Sequence, residues 1–147
     1  MMNLETMLST LSRLSNSNKP LWGKMNAQEM VEHLSDMLMM ARGTGNFTID
    51  VDAETIARRQ QFLLSDKEMA KNIAVPFTKE LIELRNDELE LAVDEFTDEW
   101  LNFIELYENN PDASVVHPYY GALDFNLWLK MHDKHFMHHF KQFGLIE

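Results

Sequence analysis

The sequence predicts an all-α protein, a four-helix bundle with a long crossover between its second and third bundle helices. Three observations carry that reading. Apolar residues recur at steps of three and four over four long segments. The 147 residues are 45% hydrophobic, enough for one domain with a real core. Between the second and third of those segments lie about forty residues, too many for a simple hairpin link.

The first helix is placed over residues 3–16, where Leu4, Met7, Leu8, Leu11 and Leu14 share one face. "SNSNKP" ends it. Asn26 and Glu29, three residues apart, have the form of a capping box, and a second helix follows to about Arg42. Its stripe is Met30, Leu34, Met37, Leu38 and Ala41, and Gly43 and Gly45 stop it. In the connector 43–86, "DAETIARRQQFLLS" reads as helical, and "AVPFT" as extended because Pro76 blocks a regular helix. A third long helix is expected from about Asp87 to Asn109, on Leu89, Val93, Phe96, Trp100, Phe103 and Tyr107. "NNPDASVVHPYYG" reads as a loop. The last helix is expected from near Asp124 to Phe143, with Gly144 beyond it. All residues belong to a single domain, 1–147, without repeats or low-complexity segments.

Charge and composition exclude several functions. A formal net charge of -11, with no basic cluster along the sequence to offset it, repels phosphate backbones and anionic lipid alike. No nucleic acid or membrane partner is therefore expected. The absence of cysteine removes disulfides, thiolate nucleophiles and thiolate metal ligands. "MMNLETMLSTLSRLS" lacks the basic and continuous apolar regions of a signal peptide, and no apolar run is long enough to span a bilayer. The expected compartment is cytoplasmic.

Four of the six histidines lie in "MHDKHFMHHFKQFG", near the C-terminus. With about 100° per residue, His132 and His139 fall on the apolar arc of the last helix, together with Phe125, Trp128, Phe136, Phe140 and Phe143. His135 lies at its flank, and His138 is turned towards the polar side with Lys134 and Lys141. His135 and His139 are one turn apart, a spacing that lets two imidazoles share one ion. His132 and His135 are a second pair at three residues. A zinc-type site takes three protein ligands and leaves a position open. His33, at the flank of the second helix, is the candidate for the third. If the second and last helices run antiparallel, His33, His135 and His139 meet at one level. His132 reads as a packed core residue, His138 as a rim residue and His117 as a loop-packing residue. Glu29 and Asp36 flank His33 by a turn on either side and are candidate general bases or imidazole-orienting groups.

"HFMHHFKQFG" resembles the last-helix signature of the DinB-like (YfiT-like) superfamily of metalloenzymes, through His135, His138, His139 and Gln142. "LWGKMNAQEMVEHL" resembles the start of that family's second helix, with His33 at the ligand position. "HPYYGALDFNLW" with the terminal "HHFKQFG" resembles one branch, designated a domain of unknown function. The resemblance spans nearly the whole chain. It implies a bundle in up-down-down-up order with a metal ion, zinc or nickel, on His33, His135 and His139. It also implies a metal-dependent enzyme, a transferase using an external thiol or a hydrolase, acting on a small-molecule substrate. A non-catalytic metal or small-ligand binding protein is the other reading, and a homodimer is left open. The chain departs from the family pattern at Phe140 and Lys141, where relatives carry Arg-Gly.

Overall fold

A computed structural model describes residues 3–71 and 83–147. Five helices and one small hairpin are found among them: α1 (Leu4–Leu11), α2 (Ala27–Ala41), α3 (Ala53–Leu64), α4 (Leu89–Asn109), β1 (Val115–His117), β2 (Gly121–Leu123) and α5 (Phe125–Gln142). The all-α reading holds, with that hairpin added. No helix of the described residues is long and apolar enough to cross a membrane. "AVPFT" lies outside the described residues.

Local chemistry sets most helix ends. Asn26 accepts from the Glu29 N–H at 2.8 Å, and the Glu29 carboxylate accepts from the Asn26 N–H at 2.9 Å, so the expected capping box opens α2. Asp52 and Asp124 cap α3 and α5 by accepting from Thr55 N and Leu127 N. α1 stops earlier than its apolar spacing predicts. Serine and asparagine take over the backbone there: Ser12 Oγ donates to Ser9 O, and Asn18 Oδ1 accepts from Ser15 N. Leu14 still reaches the core, from a turn.

The segment read as a loop contains the β-hairpin. Val115 and Val116 are β-branched and pair with Leu123 and Ala122. His117 tightens the turn, its Nδ1 accepting from Tyr119 N at 3.0 Å and Tyr120 N at 3.3 Å. Gly121 has φ +79°, and a Cβ there would meet Ile56 Cγ2 of α3 at 2.9 Å. Glycine is required on both counts. α3 also donates to the hairpin, from Arg59 to Tyr119 O and from Gln60 to Tyr120 O, both at 2.9 Å.

Side-chain pairs give the helix directions. Phe96 packs on Phe136, Phe103 on His132 and Tyr107 on Phe125, so α4 and α5 are antiparallel. Gln28 donates to Asn86 O just before α4, while Tyr107 near its end donates to Ala41 O. α2 and α4 are therefore parallel, which requires the crossover that carries α3. It follows that α2 and α5 run antiparallel. The core between them is aromatic, with Phe96, Phe103, Trp128, Phe136 and Phe140 almost fully buried.

Candidate metal centre

α2 contributes His33 and α5 contributes His135 and His139. His135 Nε2 lies 2.8 Å from His33 Nε2 and 3.0 Å from His139 Nε2, and the three candidate ligand atoms all lie within 4.8 Å of one another. Ligand nitrogens around a tetrahedral zinc at the usual bond length stand roughly 3.3 Å apart. Both separations from His135 are within a few tenths of an ångström of that value. His135 and His139 are buried and His33 is partly buried, so the cluster lies inside the helix pair.

Burial and mutual repulsion keep these imidazoles neutral. Burial pushes His33 down to about 4, assisted by His138. It pushes His139 down to about 3, with His33 acting in the same direction and the Gln142 hydrogen bond opposing. His135 falls well below its ordinary value through burial and then its neighbours His139 and His33. A metal ion binds the deprotonated nitrogen, so no proton has to be removed near neutral pH.

One ligand has a defined tautomer. Gln142 Nε2 donates to Trp22 O at 2.9 Å, which turns its Oε1 towards His139 Nδ1 at 2.6 Å. A carbonyl oxygen only accepts, so His139 carries its proton on Nδ1 and presents the Nε2 lone pair to the cluster. Gly23 makes room for this contact. Its φ is +82°, and a Cβ there would stand 2.7 Å from Gln142 Nε2. The neighbouring Leu21 N–H donates to Gln142 O at 2.7 Å. The chain leading into α2 thus holds the end of α5.

The two candidate bases are engaged in other contacts. Glu29 closes the capping box, and the Asp36 carboxylate meets Arg85 at 2.7 Å on the exposed side of α2. The buried carboxylate of α2 is Glu32, which the spacing argument did not single out. It accepts from Arg85 N at 2.7 Å, Asn86 N at 3.2 Å and Gln28 Nε2 at 3.2 Å. Burial alone would raise its pKa, but these donors, Arg85 first, lower it overall. His132 is packed among Trp128, Phe136 and Phe103, with neither ring nitrogen hydrogen-bonded among the described residues. His138 is partly buried rather than solvated, edge-on to Trp22 at 5.6 Å and next to His139 at 5.0 Å. The fold also creates a basic cluster that is dispersed in the sequence, bringing Lys67 and Lys71 to the α5 face that carries Lys130, Lys134 and Lys141.

The role of Gln142 had a readable signal, a hydrogen-bonding residue one turn after a candidate ligand. Those of Trp22 and Glu32 had none, because their partners lie 120 and 53 residues away. Comparison with protein-family models, curated proteins and solved structures returns no match for this chain.

Proposed function

We propose that the protein is a metal-dependent enzyme of the DinB-like class, with zinc or nickel on His33, His135 and His139, acting on a small molecule. The observation that carries this is the convergence of three neutral imidazoles from two helices, with the tautomer of one set by Gln142. The up-down-down-up bundle belongs to the same proposal, and the parallel α2–α4 pair and antiparallel α5 support it. A bound divalent ion supplies Lewis acidity and lowers the pKa of a water or an external thiol at its open position. His33, His135 and His139 would hold the ion, Gln142 orients His139, and Phe136, packed on Phe96 and Trp100, lies beside His135. The reaction class is thiol transfer or hydrolysis.

A second reading, a metal or small-ligand binder without turnover, is favoured by one observation. Both carboxylates expected to serve as a base are engaged in a helix cap and an ion pair. Elemental analysis of untagged protein tests the metal centre, with one equivalent expected in the wild type and loss in His33→Ala. Hydrolysis and thiol-transfer assays on the metal-loaded protein then separate enzyme from binder. Absence of metal at stoichiometric supply rejects the metal-dependent enzyme and the metal binder, and leaves only a small-ligand binder.

A further inference from the structure

Beside the histidine cluster, on the outer face of α5, lies a cavity of about 250 Å³ between that helix and residues 63–71. Among the described residues, five lysines line it, out of 13 Lys and Arg in the whole chain, and no arginine does. Three carboxylates, Asp66, Glu68 and Asp133, share the lining. Cations therefore outnumber anions there, although the chain as a whole has a net charge of -11. At physiological ionic strength the screening length is about 8 Å, so a ligand inside senses mainly the charges of the lining, whose balance is positive.

The arrangement is held in place. The Lys134 ammonium donates to the backbone carbonyls of Ser65, at 2.7 Å, and Lys67. This fixes the 65–67 segment across the groove. Lys141 pairs with Glu68, and Lys71 lies 4.3 Å from the centre of the Trp22 ring. Lys67 and Lys130 make no ion pair among the described residues. Trp22 also lines the groove, and its indole N–H is buried without a hydrogen-bond partner among the described residues.

We infer that this groove binds a small phosphorylated molecule, the substrate of the adjacent centre. Ammonium groups bind phosphate as point charges, and a phosphate monoester carries a charge of about -1.5 to -2 at pH 7 where a carboxylate carries one, so a cluster of lysines favours phosphate. The volume suits a metabolite below drug size. The groove and the cluster share a wall: Trp22 and His138 line the one, while the Trp22 carbonyl holds the glutamine that orients His139. Calling the ligand a substrate rests on the metal-centre reading, but the affinity of the groove for it does not.

Titration calorimetry on metal-free protein at physiological salt, with phenyl phosphate as probe and benzoate as its carboxylate counterpart, tests the inference. One saturable phenyl phosphate site is expected, with benzoate weaker by roughly tenfold. The double variant Lys67→Gln/Lys130→Gln should lose roughly tenfold in affinity. Glu68→Gln, which releases Lys141, should bind more tightly. Absence of saturable binding, or binding indifferent to both groove variants, overturns the groove. Equal affinity for benzoate overturns the phosphate assignment. If phenyl phosphate follows the lysines while the wild type takes up no zinc or nickel, the groove stands and the metal-centre reading falls.

Discussion

His138 and His139 are neighbours in sequence with opposite expected roles. His139 presents Nε2 to the cluster and Nδ1 to Gln142. His139→Ala should abolish metal binding and leave the Gln142 carbonyl unpaired, at a cost of about 1–3 kcal/mol even without metal. His138→Ala removes an edge contact with Trp22. Metal content near wild type is expected, with a stability change below about 1 kcal/mol. Elemental analysis and melting temperatures of the two variants check this, and a reversed pattern would refute the assignment of His139. His132 is a third case. Both its nitrogens are buried without partners among the described residues, while its ring stacks between Trp128 and Phe136. Phenylalanine keeps the stacking and removes the unpaired polar atoms, so His132→Phe should raise stability, by about 1 kcal/mol, with metal retained. A lower urea midpoint in His132→Phe would contradict it.

At the scale of elements, Glu32 joins α2 to the approach of α4 by accepting both the Arg85 and Asn86 N–H groups. Glu32→Gln puts an amide donor against a backbone donor there, and a loss of about 1–3 kcal/mol is expected. Its folded-state pKa lies below 4.5. The stabilisation is therefore present above that value and fades as pH falls through it. The gap in denaturation midpoint between wild type and Glu32→Gln should be wide at pH 7 and shrink below pH 4.5; a constant gap would refute this. What was legible in the sequence follows the range of the interaction. The α2 capping box, the α5 stripe and the one-turn spacing of His135 and His139 are local, and periodicity exposes them. The hairpin was hidden because "SVVHPYYG" is short and its glycine is required by Ile56 of another helix. The lysine groove was hidden because its charges come from two distant segments and meet only when α3 and α5 pack.

For the whole molecule, buried histidines tie stability to pH. Burial pushes His117 down to about 3, and burial followed by the His117 charge does the same to His132. The unfolded chain protonates both near 6.5, while the folded chain resists until about 3. Between those values the unfolded state binds more protons, so stability is full above pH 6.5 and falls as pH drops. Each such histidine adds about 1.4 kcal/mol per pH unit to the slope. Denaturation at a series of pH values from 7 to 4 should show a slope reduced by one histidine's share in His132→Phe. An unchanged slope would mean that His132 is already charged in the native state.

The hold that Trp22 and Gly23 keep on Gln142 also bears on how fast the metal can act. It joins residues 120 apart, and the contact between His33 and His135 joins residues 102 apart. Contacts this distant in sequence reward the chain only after the entropy of closing a very long loop has been lost, so they form late on the folding route. An ion that needs all three imidazoles then finds no complete site in the folding transition state. Its binding energy falls almost entirely on the native side of the barrier. Zinc or nickel should therefore slow unfolding in proportion to its contribution to stability and leave the refolding rate nearly unchanged. Stopped-flow chevrons with and without metal would show one moving arm, and a parallel gain in refolding rate would mean that the cluster forms early.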